Sequence, residues 1–461
     1  MKGCGAGLGA ASTAAWRKAQ AEAAAPKSDA PLRLIAGVAK RKVTPPTWVP
    51  YLTSSGNGTC APFQGVHDDL HARALVLEDS RQAIALLAVD SIGYDNTVLG
   101  PGRDFTRELR RRVAARTGLQ PQAIMLCASH SHSTPETIGL TNFRDFKGVP
   151  DWVEQHLQDL VAVTVAAWKQ RVPVRAYAGS TQVQGVARYR RIVLKNGTLN
   201  RHGPLPSPAE VAVPWKLDEE LALLHLETES GQPHSLVMNY TAHPVIAMLL
   251  PPVSADYPGA AAALVERELK GVVCLFTQGA AGNVNSAHVT TNFEDVESLG
   301  HKLGGAALAQ VKRMTAKGAM ANPQVRVVSE SVELEPRPCP PLAEAEQALQ
   351  KAPTSADRQW LRLARKLAEA PLRAEVQAMR VGGVTWVSLP GEPFVETGLA
   401  LKAAGATFVA GYANGWLGYL PTHRAYAEGG YEVIPGPWSR VAPGSAERLE
   451  AVAARLLQQV T

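Results

Sequence analysis

Cysteine is scarce in this chain of 461 residues: Cys4, Cys60, Cys127, Cys274 and Cys339 are five, an odd number at no recurring spacing. That excludes a disulfide framework and a zinc site made of paired thiolates, and Cys127 and Cys274, inside apolar runs, read as small core residues. No run of about 20 apolar residues occurs, so no segment is expected to span a bilayer. Charge of one sign is also lacking. The 47 basic and 41 acidic residues leave only +6, spread along the chain, which speaks against a nucleic-acid partner. The densest basic run, Arg107 to Arg112, reads as the wet face of a helix. There is no Gly-x-Ser-x-Gly elbow, which sets a serine hydrolase aside. Gly279 to Gly282 lacks the lysine and the spacing of a P-loop, so phosphate binding is disfavoured. No internal repeat is found.

What is present describes a globular protein: 46% hydrophobic and 19% charged residues, with 39 Gly and 33 Pro to punctuate many short elements. The length exceeds that of a single small core, and one large α/β domain or two tightly joined lobes both fit. Residues 1–30, rich in Ala and Gly without a clean apolar stretch and cleavage site, read as a disordered leader, and neither a cytoplasmic nor an exported location is favoured. Folded structure is expected from residue 31. The pattern predicts a strand over 32–43, a long loop over 48–63, a hairpin of 72–77 with 83–90, a basic helix over 103–117 and a strand over 123–127. A helix comes next over 152–170, then strands over 174–179 and 192–199. A second hairpin joins 220–228 to 235–240, a helix opened by Pro258 runs to 270, and a strand covers 272–276. Beyond a helix over 295–312 and an extended stretch over 324–334, residues 342–370 read as a helical insertion or lid broken at Pro353. A hairpin over 374–389, a strand from 408 and a helix over 445–460 capped by Ser445 close the chain.

Groups able to bind a metal or move protons stand just beyond several of these buried strands. His130 and His132 come after the strand over 123–127, and in an extended chain residues two apart point the same way, so two imidazoles can converge. His243 comes after the strand over 235–240, and Glu392 after the one over 384–389. Asp90 also ends a strand and reads equally as a ligand-orienting acid or as the cap of the next turn. Ligands of open α/β folds sit at strand ends. Two histidines and a carboxylate are a common set for catalytic zinc, which keeps one position for water and offers hydrolysis.

At these residues the sequence resembles the neutral/alkaline, non-lysosomal ceramidase family. The stretches are Ala128-Ser-His-Ser-His-Ser, Thr277-Gln-Gly-Ala-Ala-Gly-Asn-Val, Leu389-Pro-Gly-Glu, and Asn414 to Tyr419 with Tyr431-Glu432. They fall in the family's order at compatible spacings, over about residues 33 to 440. The resemblance implies a zinc-dependent amidase that cleaves N-acylsphingosine to sphingosine and a fatty acid. Its fold would be a ceramidase-like catalytic domain over residues 31–461, α/β, with mixed β-sheets flanked by helices. It further implies zinc ligands at His130, His243, Glu392 and Tyr419, and catalytic assistance from His132 and Tyr431. A substrate-contacting arginine is matched to Arg188, with Arg190 two residues away, and Asn283 is matched to a substrate-binding position. The partner implied is a small-molecule or lipid amide; the oligomeric state stays open.

Two departures bear on the substrate. The family's glycine-rich stretch continues to a serine needed for activity, and here Asn285 takes its place; asparagine can donate to an oxyanion but offers no hydroxyl. The chain also stops about 30 residues after Tyr431, leaving no room for the C-terminal β-sandwich of longer ceramidases. Hydrolysis of a smaller amide or ester by the same site, and a catalytically silent binding protein, therefore stand as alternatives.

Overall fold

The computed structural model describes residues 33–461 apart from 55–57, 201–203 and 351–353. The leader expected over residues 1–30 lies outside the described residues. Eight strands build the larger sheet: β1 (Leu34–Lys42), β2 (His71–Glu78), β3 (Ala83–Val89), β4 (Ile124–Ala128), β5 (Val172–Gln182), β6 (Glu220–Thr228), β7 (Pro233–Tyr240) and β8 (Val273–Gln278). Their order is β8-β7-β6-β5-β1-β2-β3-β4. A second sheet takes β9 (Val325–Glu333), β10 (Arg373–Val381), β11 (Val384–Ser388) and β12 (Phe408–Ala410) in that order. The pairs β7/β8, β3/β4 and β11/β12 are parallel and the other pairs antiparallel.

The two sheets pack face to face, and this explains why their strands read as unbroken apolar runs rather than alternating ones. In β2, Ala72, Ala74 and Val76 lie under helices, while Leu75 and Leu77 meet the second sheet. Helices α1 (Phe105–Ala114) and α2 (Val149–Lys169) cover one half of the outer face, and α3 (Asp256–Glu268) with α4 (Phe293–Ala316) the other half. Next in the chain come α5 (Leu342–Ala348), α6 (Ser355–Glu369), α7 (Val395–Ala403) and α8 (Ser445–Val460), the last packed on the outer face of the second sheet. The result is helix, sheet, sheet, helix: a mixed α/β fold with its sheets flanked by helices.

Several local expectations change. The stretch 48–63 is not a plain loop but a small hairpin, Pro50–Ser54 with Thr59–Pro62, held by Tyr51 stacking on Phe63 at 4.6 Å. The strand expected over 192–199 folds back on itself as Ile192–Val193 and Leu199–Asn200, because Asn196-Gly197 makes the turn, with Gly197 at φ 82. Gly444, at φ 90, caps α8 instead of Ser445, whose hydroxyl donates to Ala442 O at 2.7 Å. The basic run of α1 is not wholly wet either, since Arg110 is buried and pairs with Glu375 at 2.6 Å. Cys127 and Cys274 are buried and free, as core residues.

The larger sheet curls until its edge strands β8 and β4 face each other across residues 411–414, which bond to both. Gly411 N donates to Gln278 O at 3.0 Å, Ala128 N to Tyr412 O at 3.2 Å, and Asn414 N to Leu126 O at 2.8 Å. Loops after β4, β7 and β11, far apart in sequence, thereby open into one space.

Candidate active site

His130 does not extend the strand that precedes it. β4 ends at Ala128, and His130 sits at φ 68, a left-handed conformation that non-glycine residues seldom adopt. The loop after β3 holds it there: His130 N donates to Ser91 O at 2.8 Å, its Nδ1 meets Ile92 O at 2.5 Å, and the Tyr412 ring stacks on it at 4.0 Å. Strand alternation is thus not what brings His130 and His132 together, yet their Nε2 atoms lie 3.3 Å apart. His243, beyond β7, is fixed by its amide donating to Val284 O at 2.9 Å and by Nδ1 against Ala281 O at 2.6 Å. Glu392 comes after β11; Trp416 Nε1 donates to its Oε1 at 3.2 Å.

These restraints leave three acceptors facing one another. Both Nδ1 atoms face backbone carbonyls, which in a neutral ring leaves the lone pair on Nε2. His130 Nε2 and His243 Nε2 are 3.0 Å apart, and Glu392 Oε2 lies 3.1 Å from His243 Nε2 and 3.5 Å from His130 Nε2. Buried acceptors at these distances call for a cation between them. Ligand atoms of His130, His132 and His243 also lie within 4.8 Å of one another, close enough to share a metal ion. Burial, with help from Arg190 and His130, pushes His243 down to about 4; burial and the neighbouring imidazoles hold His132 well below its usual range. Burial works to raise the Glu392 carboxyl, but His130 and His243 hold it well below the carboxylate range. Neutral imidazoles and an ionised carboxylate are the forms that bind metal.

Tyr419 stands beside Glu392 through a short parallel bridge, Glu392–Pro393 with Tyr419–Leu420. Its hydroxyl accepts from Arg190 Nη2 at 3.0 Å. The same buried guanidinium donates Nη1 to Asn285 Oδ1 at 2.8 Å and Nη2 to Gly282 O at 2.6 Å, and pairs with Glu432 at 3.1 Å. With Oδ1 occupied by an obligate donor, Asn285 can turn only its Nδ2–H donors elsewhere. Tyr431 packs edge-on against Tyr419, with ring centroids 5.7 Å apart.

A cavity of about 240 Å³ joins His132, Arg190, His243, Asn285, Glu392, Tyr419 and Tyr431, and its remaining wall is apolar, with Leu52, Ile138, Leu140, Met248 and Trp438. His130 lies beneath it. Two of the expected residues are not brought there. Arg188 does not line the cavity; it stands opposite Asn285 in the bridge between 187–189 and 284–286, and Arg190 is the arginine that reaches in. Asn283 is fully buried at the start of α7, its Oδ1 accepting from Val395 N and its Nδ2 donating to Glu396, each at 2.8 Å. Asp90 belongs to the sheet, where its Oδ2 takes His71 N at 2.8 Å and Arg73 at 2.9 Å. Sequence reasoning missed Tyr412, which carries no motif, and the orienting roles of Trp416 and Glu432, although both stand inside or beside quoted motifs.

Comparison of the sequence with family models and with curated proteins finds no match. Among solved structures, the chain resembles neutral ceramidase from Pseudomonas aeruginosa with a TM-score of 0.70 at 17% identity, over 93% of this chain and 74% of that one. It also resembles a structure described as ceramidase complexed with C2, with a TM-score of 0.68 at 17% identity, over 93% and 75% of the two chains. The chain therefore has the fold of neutral ceramidase.

Proposed function

We propose that this chain is a zinc-dependent hydrolase of N-acyl amide bonds, ceramidase-like in cleaving an N-acylated amine to amine and fatty acid. The observation that carries this reading is the meeting of His130 Nε2, His243 Nε2 and Glu392 Oε2 within 3.0 to 3.5 Å. The likeness in fold to neutral ceramidase supports it. His130, His243, Glu392 and Tyr419 would hold the ion, which when bound supplies a Lewis acid and a water of pKa ~7. The other residues act on substrate. His132, whose buried Nδ1 has no hydrogen-bond partner among the described residues, would take the proton of the attacking water and hand it to the leaving amine. Asn285, its Oδ1 held by Arg190, turns Nδ2–H toward the carbonyl oxygen as charge develops there, and Tyr431 donates from the opposite wall. Arg190 also accompanies Tyr419, donating to the oxygen that would face the ion.

A second reading, hydrolysis of a smaller amide or ester, is favoured by the cavity itself. Its 240 Å³ falls below the ~300–1,000 Å³ usual for drug-sized ligands. Metal analysis of the purified protein together with a panel of N-acyl amines from acetyl to palmitoyl, ceramides included, tests both. Zinc bound at one per chain, with turnover lost in His130→Ala, is expected, and the preferred chain length decides between the readings. Tight zinc binding without turnover anywhere on the panel overturns the enzyme in favour of a silent binding protein.

A further inference from the structure

Behind Leu140 lies a second cavity, of about 430 Å³, between the loop 139–145 and helix α6. Leu140 lines both cavities, and Trp438, on the catalytic wall, has the Arg362 guanidinium 5.9 Å from its ring centre. Four cations line the second cavity, Arg144, Arg362, Arg365 and Lys366, against the carboxylates of Asp145 and Glu369. Most of this charge is accounted for. Arg144 pairs with Glu369 at 2.8 Å, Lys366 with Glu369 at 2.7 Å and with Asp95 at 3.1 Å, and Arg365 reaches Glu346 at 3.4 Å on the exposed side. Asp145 is exposed on the rim.

Arg362 is different. It is half-buried, and among the described residues no carboxylate lies within ion-pair distance of it; its Nη2 donates to Leu140 O. Glu136, whose charge Arg362 feels, spends one oxygen on Leu140 N at 2.8 Å and the other on Thr141 Oγ1 at 2.5 Å. The guanidinium packs closely against the backbone of a glycine. A Cβ on Gly58, which sits at φ 61, would collide with Arg362, and one on Gly139, at φ 71, would press on Lys366 Nζ. A guanidinium taken partly out of water without a counter-ion is costly, and its planar fork matches a carboxylate with two parallel hydrogen bonds.

We infer that Arg362 is an anion-recognising subsite of the catalytic cavity, so that the amide this protein handles carries a carboxylate on one of its two halves. The inference rests on the reading of the catalytic cavity as an amide site, and it names the substrate class. On that reading the amide group would lie at the histidine cluster and the carboxylate at Arg362, on the far side of Leu140, which lines both cavities.

Calorimetric titration with three amides tests it without turnover: N-octanoylglycine, with the charge on the amine half; N-octylsuccinamic acid, with the charge on the acyl half; and neutral N-octanoylethanolamine. One of the two anions is expected to bind at least about tenfold tighter than the neutral amide, and Arg362→Gln to bring that ratio close to one. Arg362→Lys, which keeps the charge and loses the fork, serves as the second variant and is expected to fall between them. Equal binding of all three amides by the unaltered protein, or a ratio that survives in Arg362→Gln, overturns the inference. Hydrolysis is then measured on the same compounds with zinc present. Cleavage without a preference for charge sinks this inference and leaves the amidase; charge-selective binding without cleavage does the reverse.

Discussion

In the candidate catalytic cavity four polar groups are held by partners on strand-end loops: His130 by Ile92 O, His243 by Ala281 O, Glu392 by Trp416, Asn285 by Arg190. Across Leu140, the charges sit on α6, and Arg362 donates to one backbone carbonyl and meets no carboxylate among the described residues. The first arrangement is preorganised: its polar atoms point where charge or an ion will be, and no reorganisation is needed at the moment of reaction. The second is suited to recognition, because an arginine on a helix face can adjust to a ligand that arrives with its own charge. If the proposed readings hold, these neighbouring spaces take different parts in handling one substrate, and damage to one should read out differently from damage to the other.

The hardest test of that division is to remove a ligand. Glu392→Ala or His130→Ala leaves the remaining acceptors without a stable cation site; bound zinc should vanish on metal analysis and amide hydrolysis fall by at least about a thousandfold, ~4 kcal/mol in the barrier. If zinc stays and turnover persists, the preorganised cavity is not the catalytic one. Next is Asn285→Ala, which removes a single donor from a group Arg190 keeps aligned. A fall of about 10²–10³ in kcat, with KM little changed, is expected for an oxyanion donor; a change in KM alone would instead make Asn285 a ground-state contact. Smaller again is Trp416→Phe, which takes the hydrogen bond from Glu392 Oε1. Loss of about 10–100-fold in zinc affinity, measured by competition with a chelator, is the expected cost of an outer partner.

The sequence made the catalytic cavity legible and left the second one dark, for physical reasons. Strand ends can be read because doubly buried strands are continuous apolar runs, and the polar residues just past them are therefore conspicuous: His130, His243 and Glu392 all stand in such places. The curl that joins β8 to β4 could not be read, since it depends on Gly411 bonding to β8 and Tyr412 and Asn414 to β4 rather than on any pattern in either strand. Arg188 was preferred to Arg190, two residues on, because no spacing reveals that Arg188 is paired opposite Asn285 in a bridge and Arg190 lies just beyond it. Asn283 was matched to a substrate-binding position through the family resemblance, while its amide is used by the start of α7. Arg362 stood in a basic amphipathic helix, where lack of a partner is a property of space and not of sequence.

Glu136 lies at the joint of the two regions, and its effect should fall on stability rather than on turnover. It sits on the loop that begins at His130, and its carboxyl holds Leu140 N and Thr141 Oγ1, the wall both cavities share. Burial pushes its pKa up to about 7, against the opposing pull of those hydrogen bonds and of Lys366. A carboxyl raised on folding favours the folded state when protonated. Its contribution is therefore complete below the unfolded value near 4.5 and is lost as pH rises through about 7. Asp256, pushed up to about 6 by burial, adds a slope of the same sign, so the measurement must be a difference between two proteins. Glu136→Gln keeps an acceptor for Leu140 N and cannot ionise, so denaturant unfolding should show the variant losing less stability than the parent between pH 5 and 8. The gap should be on the order of 1–3 kcal/mol. Parallel curves for the two proteins would mean that Glu136 stays in one protonation state over that range, and that the shared wall does not soften as the solution turns alkaline.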